Sequence, residues 1–423
     1  MSTGSPHTPA SLFGVPAFTA LAVMNFVRGM AFATVIVALA LYADLFAVSG
    51  LVAGLFGTAY AFVRLVLVIP VGRWIDVRDA KRLLVAGLAL QVVVFVGYVF
   101  VGSATQLVVL RAFQGISSIT VYLAGTAIVG SLGPQEERGL WIGTYQNTSA
   151  FSRLSGDLVG AGFLFFLGFE PTWAIFVVLS TFATWYVLRH LPRDPVPSQD
   201  GSSSTVGKLV ALLKRRAIMA LVMFRLSFSF CKEAVIIFLP IFARLEFGMN
   251  ALLIGGILAG GRLTKSIAQG YVGQLGDRVG RLHWFIVAGI VLYAIGTAMI
   301  PLAIYADEVI DPVVVSVAGV EETVPGAFFF LFTCYVILGI ADSLRIPTSV
   351  AMFVREGEYQ DAVGSSISLR SVSWQIGATI GPLAIGVTTD LLSYTVAFWA
   401  AAGLAVCAGL LFVFIYRDEA PPG

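Results

Sequence analysis

The sequence predicts an all-α membrane protein in which twelve transmembrane helices form two six-helix bundles related by pseudo-twofold symmetry. Three observations support this fold class. Of the 423 residues, 58% are hydrophobic and only 12% are charged. The apolar residues fall into blocks of about 20, the length at which a helix crosses a bilayer. Polar signatures in the first half of the chain also recur in the second half, as described below.

Twelve apolar blocks mark the predicted spans. They cover residues 14–43, 50–71, 84–102, 105–131, 141–168, 171–189, 217–243, 250–272, 284–304, 326–350, 362–388 and 394–416. The blocks are long enough to cross a membrane as helices. An even number of spans predicts that both termini lie on the same side.

Charge in the connections predicts the orientation. The connections from even-numbered to odd-numbered spans are basic; they hold Arg73, Arg78, Lys81, Arg82, Arg138, Arg189, Arg193, Lys208, Lys214, Arg215, Arg216, Arg278, Arg281 and Arg355. Among the connections from odd-numbered to even-numbered spans, the one over 305–325 has no Lys or Arg. Its charged residues are all acidic, namely Asp307, Glu308, Asp311, Glu321 and Glu322. Basic loops stay in the cytoplasm. We therefore expect a multi-pass protein of the cell (plasma) membrane with both termini cytoplasmic.

The chain has one long polar interruption. The stretch "LPRDPVPSQDGSSSTVGK" (191–208) is rich in Pro, Ser and Gly, which is typical of a flexible linker. It predicts an N-terminal bundle over 1–190, a cytoplasmic linker over 191–216 and a C-terminal bundle over 217–423. The segment "VGKLVALLKRR" could form an amphipathic helix on the inner membrane surface.

The two predicted bundles share an internal repeat. Gly72, Asp76 and Arg64 recur 201 residues later as Gly273, Asp277 and Lys265. At an offset of 221 residues, Gly143, Ser152, Gly156 and Gly160 recur as Gly364, Ser373, Gly377 and Gly381. Such a duplication is typical of transporters whose two halves are related by an axis along the membrane normal.

These motifs resemble those of the major facilitator superfamily, and the resemblance covers nearly the whole chain. The segment "GQLGDRVGR" (273–281) fully matches the family signature Gly-x-x-x-Asp-Arg-x-Gly-Arg between helices 2 and 3. "GRWIDVRDAKR" (72–82) matches it in part, and "RAFQG" (111–115) matches a helix-4 signature. A helix-5 pattern found in antiporters ends in Gly-Pro-x-x-Gly. Here Gly156 is followed by Asp157 in place of Pro, which weakens a direct transfer of antiporter function.

The repeated loop motif predicts a gate. A helix N-terminus carries a partial positive charge, so an acid at the end of helix 2 or 8 could lie against helix 5 or 11 of the opposite half. We interpret this motif as a cytoplasmic latch formed by Gly72, Asp76, Arg78, Gly273, Asp277, Arg278 and Arg281. The alternative is that the arginines are positive-inside anchors, but anchoring does not explain why the Gly-x-x-x-Asp spacing occurs twice.

The spans contain more basic than acidic side chains. Ten basic residues lie at or near membrane depth, namely Arg28, Arg64, Arg111, Arg153, Arg225, Lys232, Arg262, Lys265, Arg345 and Arg370. Only three acids accompany them, Asp157, Glu233 and Asp342. Each charge at a helix centre costs about 2.5–3.5 kcal/mol, so such residues face a cavity or a partner.

The resemblance also implies a binding site, because helices 1, 4, 7 and 10 line the central cavity in this superfamily. The substrate-binding candidates are then Arg28, Arg111, Lys232, Glu233, Asp342 and Arg345. Arg28 and Arg111 have no acid nearby in sequence and are the preferred pair. An arginine fork suits a carboxylate or phosphate, so the expected substrate is anionic or amphiphilic.

Several of these charges also allow a purely structural interpretation. Arg153 with Asp157, and Asp342 with Arg345, have the spacing of local helical pairs. Arg64 and Lys265 could snorkel toward the interface. We expect no transport role for the remaining three basic residues, Arg225, Arg262 and Arg370.

If transport is coupled to protons, the carrier is expected among the three acids, Glu233, Asp157 and Asp342. Burial in low dielectric favours the protonated carboxyl, whereas a nearby cation opposes protonation. Glu233 is the first choice, because its neighbour Lys232 points about 100° away around the helix.

Other chemistry is not indicated. Cys231, Cys334 and Cys407 stand singly, the three histidines lack metal-ligand spacing, and no Walker-type loop appears. We expect no enzyme activity, no cofactor, no metal and no nucleic-acid partner, and a monomer. The stretch "VVVSVAG" (313–319) predicts a small β-hairpin.

The sequence thus favours a secondary transporter, working by alternating access and coupled to protons. Its expected partners are the bilayer, protons and a small-molecule or lipid substrate. Two alternatives stay open: a lipid or glycolipid flippase, and a multidrug efflux antiporter. A cationic drug would need the reverse charge, an acid-rich cavity. Substrate identity, transport direction and coupling ion do not follow from the sequence.

Overall fold

The computed structural model describes residues 8–77, 79–192, 212–279, 282–317, 319–359 and 362–416. Long helices dominate these residues, as the apolar blocks predict. Residues 193–211 lie outside the described ranges, so the linker and most of the predicted amphipathic segment stay predictions.

Helices of the first half begin and end as follows. After a short 3-10 turn, Ser11–Gly14, they are α1 Pro16–Leu45, α2 Gly50–Val77, α3 Ala80–Val99, α4 Ala104–Leu132, α5 Arg138–Ser155, α6 Ala161–Leu167 and α7 Phe169–His190. A 3-10 turn, Gln135–Glu137, precedes α5. A π-helical turn, Gly156–Gly160, joins α5 to α6, so the fifth predicted span is one continuous crossing with a local widening.

The second half contains helices of similar length. They are α8 Arg216–Phe247, α9 Ala251–Val279, α10 Leu282–Met299, α11 Ala303–Val309, α12 Gly326–Glu358, α13 Val363–Leu391 and α14 Tyr394–Ile415. A 3-10 turn, Ile300–Leu302, links α10 to α11. Before α12, strands β1 Val313–Val317 and β2 Val320–Val324 pair antiparallel, which confirms the predicted hairpin.

Eleven helices in the described part of the chain are long and apolar enough to cross a membrane. The protein is therefore a multi-pass membrane protein. The remaining predicted span, 362–388, is the 29-residue helix α13. Its first half, "VGSSISLRSVS", carries five serines and an arginine, which lower the hydropathy of a helix that is otherwise long enough.

Several helices extend beyond the predicted apolar blocks. The blocks 50–71, 250–272 and 326–350 continue as helix to Val77, Val279 and Glu358. Arg73 and Arg355 therefore lie on helices and not in loops as predicted. The physical reason is that intrahelical hydrogen bonding continues into water after the apolar stretch ends, so hydropathy marks the membrane-embedded part and not the end of the helix.

Local side chains define several helix ends. Asp79 accepts hydrogen bonds from the backbone N–H groups of Lys81 and Arg82 and so caps α3. Ser103 and Ser393 cap α4 and α14 in the same way. At the end of α8, Gly248 has a φ of 63°, a left-handed conformation that glycine adopts without steric cost.

Contacts divide the chain into two compact units. Among the described residues, the first comprises 8–38 and 59–192, and the second comprises 39–58 and everything from 212 onward. The predicted bundles, 1–190 and 217–423, follow the two halves of the sequence, and this division of the chain stays a prediction. The second unit also includes the end of α1 and the beginning of α2.

An aromatic cluster stabilises the first unit between α3 and α7. The ring centroids of Tyr98 and Trp173 lie 4.8 Å apart, and Phe95 and Phe176 pack around them. All four side chains are buried. Such large buried aromatic surfaces fix α3 against α7.

Candidate functional site: two charge clusters at membrane depth

Arg28 lies near the middle of α1 and is half-buried. Its Nη2 donates a hydrogen bond to Asn25 Oδ1 over 2.8 Å, and Asn25 Nδ2 in turn donates to the carbonyl oxygen of Tyr145. Its Nε is buried and has no hydrogen-bond partner among the described residues. The guanidinium is thus oriented by a neutral amide and keeps unused donor capacity.

Arg111 is held more tightly on α4. Only 1% of the residue is exposed, and its Nη1 donates to Gln114 Oε1 over 2.6 Å. The same Gln114 oxygen accepts from the hydroxyl of Tyr98 at 3.1 Å. The guanidinium carbon of Arg111 also lies 4.5 Å from the centroid of the Tyr60 ring. These neutral groups hold Arg111 in place.

Tyr60 of α2 contacts the side chains of both Arg64 and Arg111. Its hydroxyl lies 2.7 Å from Ser118 Oγ, and Arg64 Nη1 donates to that hydroxyl over 3.4 Å. The guanidinium carbon of Arg64 lies 5.2 Å from the Tyr60 ring centroid, so the aromatic ring contacts two guanidinium groups. Arg64 Nε, like that of Arg28, is buried without a hydrogen-bond partner among the described residues.

A small cavity in the first unit adjoins this cluster. Its volume is about 20 Å³, room for about one ordered water, and its lining consists of Arg28, Phe32, Tyr60, Gln91, Phe95, Gln114, Ser117 and Ser118. None of these lining residues is acidic. The cavity therefore combines one arginine with neutral hydrogen-bonding groups and aromatic faces, and Arg64 and Arg111 contact the Tyr60 ring. Charge beside hydrogen-bonding and aromatic groups suits an anionic group, and an organic ligand requires the cavity to widen.

The second cluster lies in the second unit and is a charge triad. Asp342 of α12 pairs with Lys232 of α8 through Oδ2 and with Arg345 through Oδ1, the latter at 2.5 Å. The predicted local contact of Asp342 with Arg345 is thus confirmed, and Lys232 adds a contact between two helices. Asp342 and Arg345 are buried. Two cations share one carboxylate, so the triad has a formal charge of +1.

Aromatic rings flank this triad. The guanidinium carbon of Arg345 lies 3.5 Å from the centroid of the Phe228 ring, and Lys232 Nζ lies 5.4 Å from that of Tyr293. Phe228 and Tyr293 are themselves in edge contact. The Phe228 ring therefore packs directly against a buried cation.

The π-helical turn positions Asp157, whose side chain is completely buried. Gly156 and Gly160 flank it and approach α1 so closely that an added Cβ would meet Met30 O at 2.2 Å and Thr34 Oγ1 at 1.8 Å. π-helical turns often occur at functional sites. Asp157 therefore lies at a tight α1 contact, in the same unit as the arginine cluster, whereas Glu233 is half-buried on α8.

Two of the other basic residues, Arg225 and Arg370, take part in contacts between helices. Arg225 Nε donates to the backbone oxygen of Arg370, and its guanidinium carbon lies 4.7 Å from the Trp374 ring centroid. These contacts join α8 to α13. They agree with the expectation that Arg225 and Arg370 have no transport role, which stays a prediction.

Side-chain contacts are not described for most of the predicted gating residues. Arg78 and Arg281 lie outside the described residues. Of Gly273, Asp76, Asp277 and Arg278 only the helical backbone is described, so the inner latch stays a prediction. Gly72 is on α2, where an added Cβ would meet no heavy atom within 4 Å.

Sequence inspection missed the neutral members of the first cluster, Tyr60, Gln114 and Ser118. It also missed Glu356, which is 1% exposed on α12 and pairs with Arg215 at 2.9 Å. Glu356 follows the predicted span and so resembled a loop acid. The polar residue Gln114 within "RAFQG" could have indicated a partner for Arg111, because it lies three residues further along the same helix.

Comparison with known proteins gives a family match over nearly the whole chain. The model of the Major Facilitator Superfamily matches residues 21–264 and 262–423. An uncharacterised MFS-type transporter of Methanocaldococcus jannaschii is 20% identical over 378 residues, which cover 88% of this chain and 91% of that protein.

Solved structures share the fold. A bacterial homologue of the human lysosomal transporter Spinster, inward-facing and occupied, superposes with a TM-score of 0.72, at 13% identity and 97% coverage of both chains. The nucleoside transporter NupG gives 0.75 at 12% identity, covering 95% of this chain and all of that one. A POT family transporter bound to a thioalcohol-conjugated peptide gives 0.72 at 14% identity, covering 94% and 95%. Identities this low establish the fold alone.

Proposed function

The chain belongs to the Major Facilitator Superfamily, and on that premise we propose that this secondary transporter moves a substrate with an anionic group, coupled to protons. We further propose the plasma membrane as its location, with both termini cytoplasmic, because the predicted inner connections are basic. The two sequence halves are proposed to act as the two bundles of alternating access.

The observation that carries the anion assignment is the arginine cluster of the first unit. Arg28 lines a cavity whose lining has no acid, and its buried Nε has no hydrogen-bond partner among the described residues. Buried donors are normally satisfied, so an unused one beside a cavity favours a ligand with acceptor oxygens. The aromatic faces of Phe32 and Phe95 add an apolar surface, which supports an organic anion over a simple inorganic one.

Arg64 and Arg111 are proposed to act through Tyr60. Their guanidinium groups contact its ring, and Arg111 is too deeply buried to meet a large ligand without rearrangement. Their charges still raise the electrostatic potential of the cavity, because low-dielectric surroundings screen them weakly. We therefore propose Arg28 as a direct ligand of the anion and Arg111 as a positioning residue.

Replacing Arg28 by Gln is expected to weaken binding of an anionic ligand about ten- to hundredfold, since a charge-assisted hydrogen bond is lost. A thermal-shift screen of purified protein against carboxylates, phosphate esters, quaternary amines and lysophospholipids would identify the ligand. Arg82→Gln is the matched control, because the Arg82 side chain is 88% exposed. Stabilisation by amines in both Arg28→Gln and the parent protein would contradict an anion site and favour the drug-efflux alternative. Selective stabilisation by lysophospholipids would favour the flippase.

We propose Asp157 as the proton carrier. Protonation of Asp342 would leave both Lys232 and Arg345 without their shared buried counter-ion, which is costly. Asp157 lies in the first unit with Arg28, and its neighbours Gly156 and Gly160 pack against Met30 and Thr34 of α1, the helix that also carries Arg28. A change in the charge of Asp157 is therefore proposed to act on anion binding. This choice replaces Glu233, the preference from sequence, by a residue that lies in the same unit as the proposed anion site.

Asp157→Asn is expected to abolish the response of uptake to a pH gradient in proteoliposomes while leaving exchange without a gradient in place. The amide fills a similar volume but cannot take up and release a proton. Glu233→Gln, at the same predicted depth, is the matched control and should keep the gradient response. The reverse result, loss in Glu233→Gln and retention in Asp157→Asn, would assign the proton to Glu233 and contradict the proposal.

A further inference from the structure

The end of α1 and the beginning of α2 pack within the second unit, although in sequence they belong to the first six helices. There, Asp390 in the last turn of α13 accepts hydrogen bonds from the first two N–H groups of α2. Its Oδ1 lies 2.5 Å from Gly50 N, and its Oδ2 lies 2.8 Å from Leu51 N. Both carboxylate oxygens are thus directed at a helix N-terminus, where unpaired N–H groups favour negative charge.

An ion pair lies at the same end of the helices. Asp44, next to the last residue of α1, pairs with Arg244 of α8, with 2.8 Å between Oδ2 and Nη2. Arg244 is oriented from its other side as well, because its Nη1 donates to the carbonyl oxygens of Gly248 and Met249. A second segment from the first six helices therefore binds a second helix from the last six.

Small residues bring α2 and α13 into direct backbone contact next to these pairs. A Cβ on Gly54 would lie 2.5 Å from Pro382 O, and one on Gly386 would lie 2.2 Å from Gly50 O. One turn further, Thr58 Oγ1 donates to the carbonyl oxygen of Thr379 over 2.8 Å. Close approach through small residues is how helices pack in membranes, and it places the two backbones in direct contact here.

We propose that Asp390, together with the Asp44–Arg244 pair, forms an outer latch of the transport cycle. The latch holds residues 39–58 against the last six helices whenever the outer side is closed. Alternating access requires the two halves to separate on each side in turn. Opening toward the outside must pull Gly50 and Leu51 away from Asp390, so this carboxylate sets part of the free-energy difference between the two states.

The position of Asp390 gives the α2/α13 pair a specific role. The predicted inner latch places Asp76, near the other end of α2, against the N-terminus of an opposing helix, and α13 begins at that same predicted inner side. Asp390 is the counterpart at the outer side, where the acid is on α13 and the N-terminus belongs to α2. Release of one carboxylate from a helix end would then accompany capture of the other.

Replacing Asp390 by Ala is expected to raise outward exposure of the cavity about five- to thirtyfold, the range for one partly buried carboxylate at a helix N-terminus. The measurement uses a background in which Cys231, Cys334 and Cys407 are replaced by Ser. The substitution Phe32→Cys then places a single reactive thiol at a residue that lines the cavity. A membrane-impermeant maleimide is added outside intact cells, and the rate of labelling is followed. This readout needs no substrate, so it is independent of whether the proposed anion binds.

Asp307→Ala is the matched control. Asp307 Oδ1 accepts from the N–H of Ala327 over 2.9 Å and so contacts the start of α12, but both residues belong to the last six helices. Its loss should leave the labelling rate at the parental value. Asp390→Asn, which keeps one acceptor oxygen but no charge, should give an intermediate rate.

Two results would overturn the outer latch. One is parental labelling in Asp390→Ala protein that still elutes as a monodisperse species. The other is an equal rise in Asp307→Ala, which would indicate general loosening. If Asp390→Ala fails to fold, Asp44→Ala decides in its place, because it breaks the Asp44–Arg244 pair and leaves the bonds of Arg244 to Gly248 and Met249 intact. An unchanged labelling rate in Asp44→Ala would then reject the proposal.

Discussion

Asp342→Asn is expected to lower the stability of the protein by about 3–5 kcal/mol, the cost of removing one partner from a buried ion pair. The carboxylate of Asp342 neutralises both Lys232 and Arg345 at membrane depth, and Arg345 is 1% exposed. Without it, the two cations lose their shared counter-ion in largely buried surroundings. A lower midpoint of thermal unfolding in detergent would measure the effect.

A second variant shows whether charge is the cause. Asp342→Asn combined with Lys232→Gln removes one of the two cations, so it should recover part of the lost stability. Arg82→Gln breaks the exposed Asp79 pair, which has the same three-residue spacing, and should change stability by less than about 1 kcal/mol. An unfolding midpoint for Asp342→Asn equal to that of Arg82→Gln would contradict a buried triad.

Gly339→Ala is expected to cost about 1–3 kcal/mol, the usual effect of overpacking a tight contact. A Cβ at this position on α12 would lie 2.2 Å from the carbonyl oxygen of Gly261 on α9. Backbone atoms cannot rotate away as a side chain would, so the two helices must separate. Thermal unfolding of the purified variant measures the loss.

Gly403 on α14 provides the control for this substitution, because an added Cβ there meets no heavy atom within 4 Å. Gly403→Ala should leave stability unchanged or raise it by up to about 1 kcal/mol, the gain in helix propensity. Equal midpoints for the two alanine variants would show that the α9/α12 contact is looser than described.

Much of the fold was predictable because the bilayer imposes it. Apolar blocks gave eleven of the described spans, and β-branched residues over 313–319 gave the hairpin. The helix ends were not predictable from hydropathy, because helices such as α12 continue past their apolar part to Glu358. The π-helical turn at Gly156–Gly160 was also missed, although Gly residues at its ends mark the place.

The candidate site was predictable in its charges but not in its partners. Arg28, Arg111 and Asp342 stand out because charge is rare in apolar spans. Their surroundings depend on contacts between helices that are distant in sequence. Lys232 and Asp342 are 110 residues apart, and Tyr60 and Ser118 are 58 apart. Neutral residues such as Tyr60 carry no such signal, because a tyrosine in a span is usually a packing residue.

Titration calorimetry of purified protein, with the acid that ranks first in the thermal-shift screen and with its uncharged carboxamide, tests anion recognition by Arg28 most directly. We predict that the acid binds the parent protein and the Arg82→Gln control alike, that Arg28→Gln binds it about ten- to hundredfold more weakly, and that the carboxamide binds parent and Arg28→Gln equally. Anion recognition by Arg28 would be contradicted if the parent protein bound acid and carboxamide with equal affinity, or if Arg28→Gln bound the acid as tightly as the parent does.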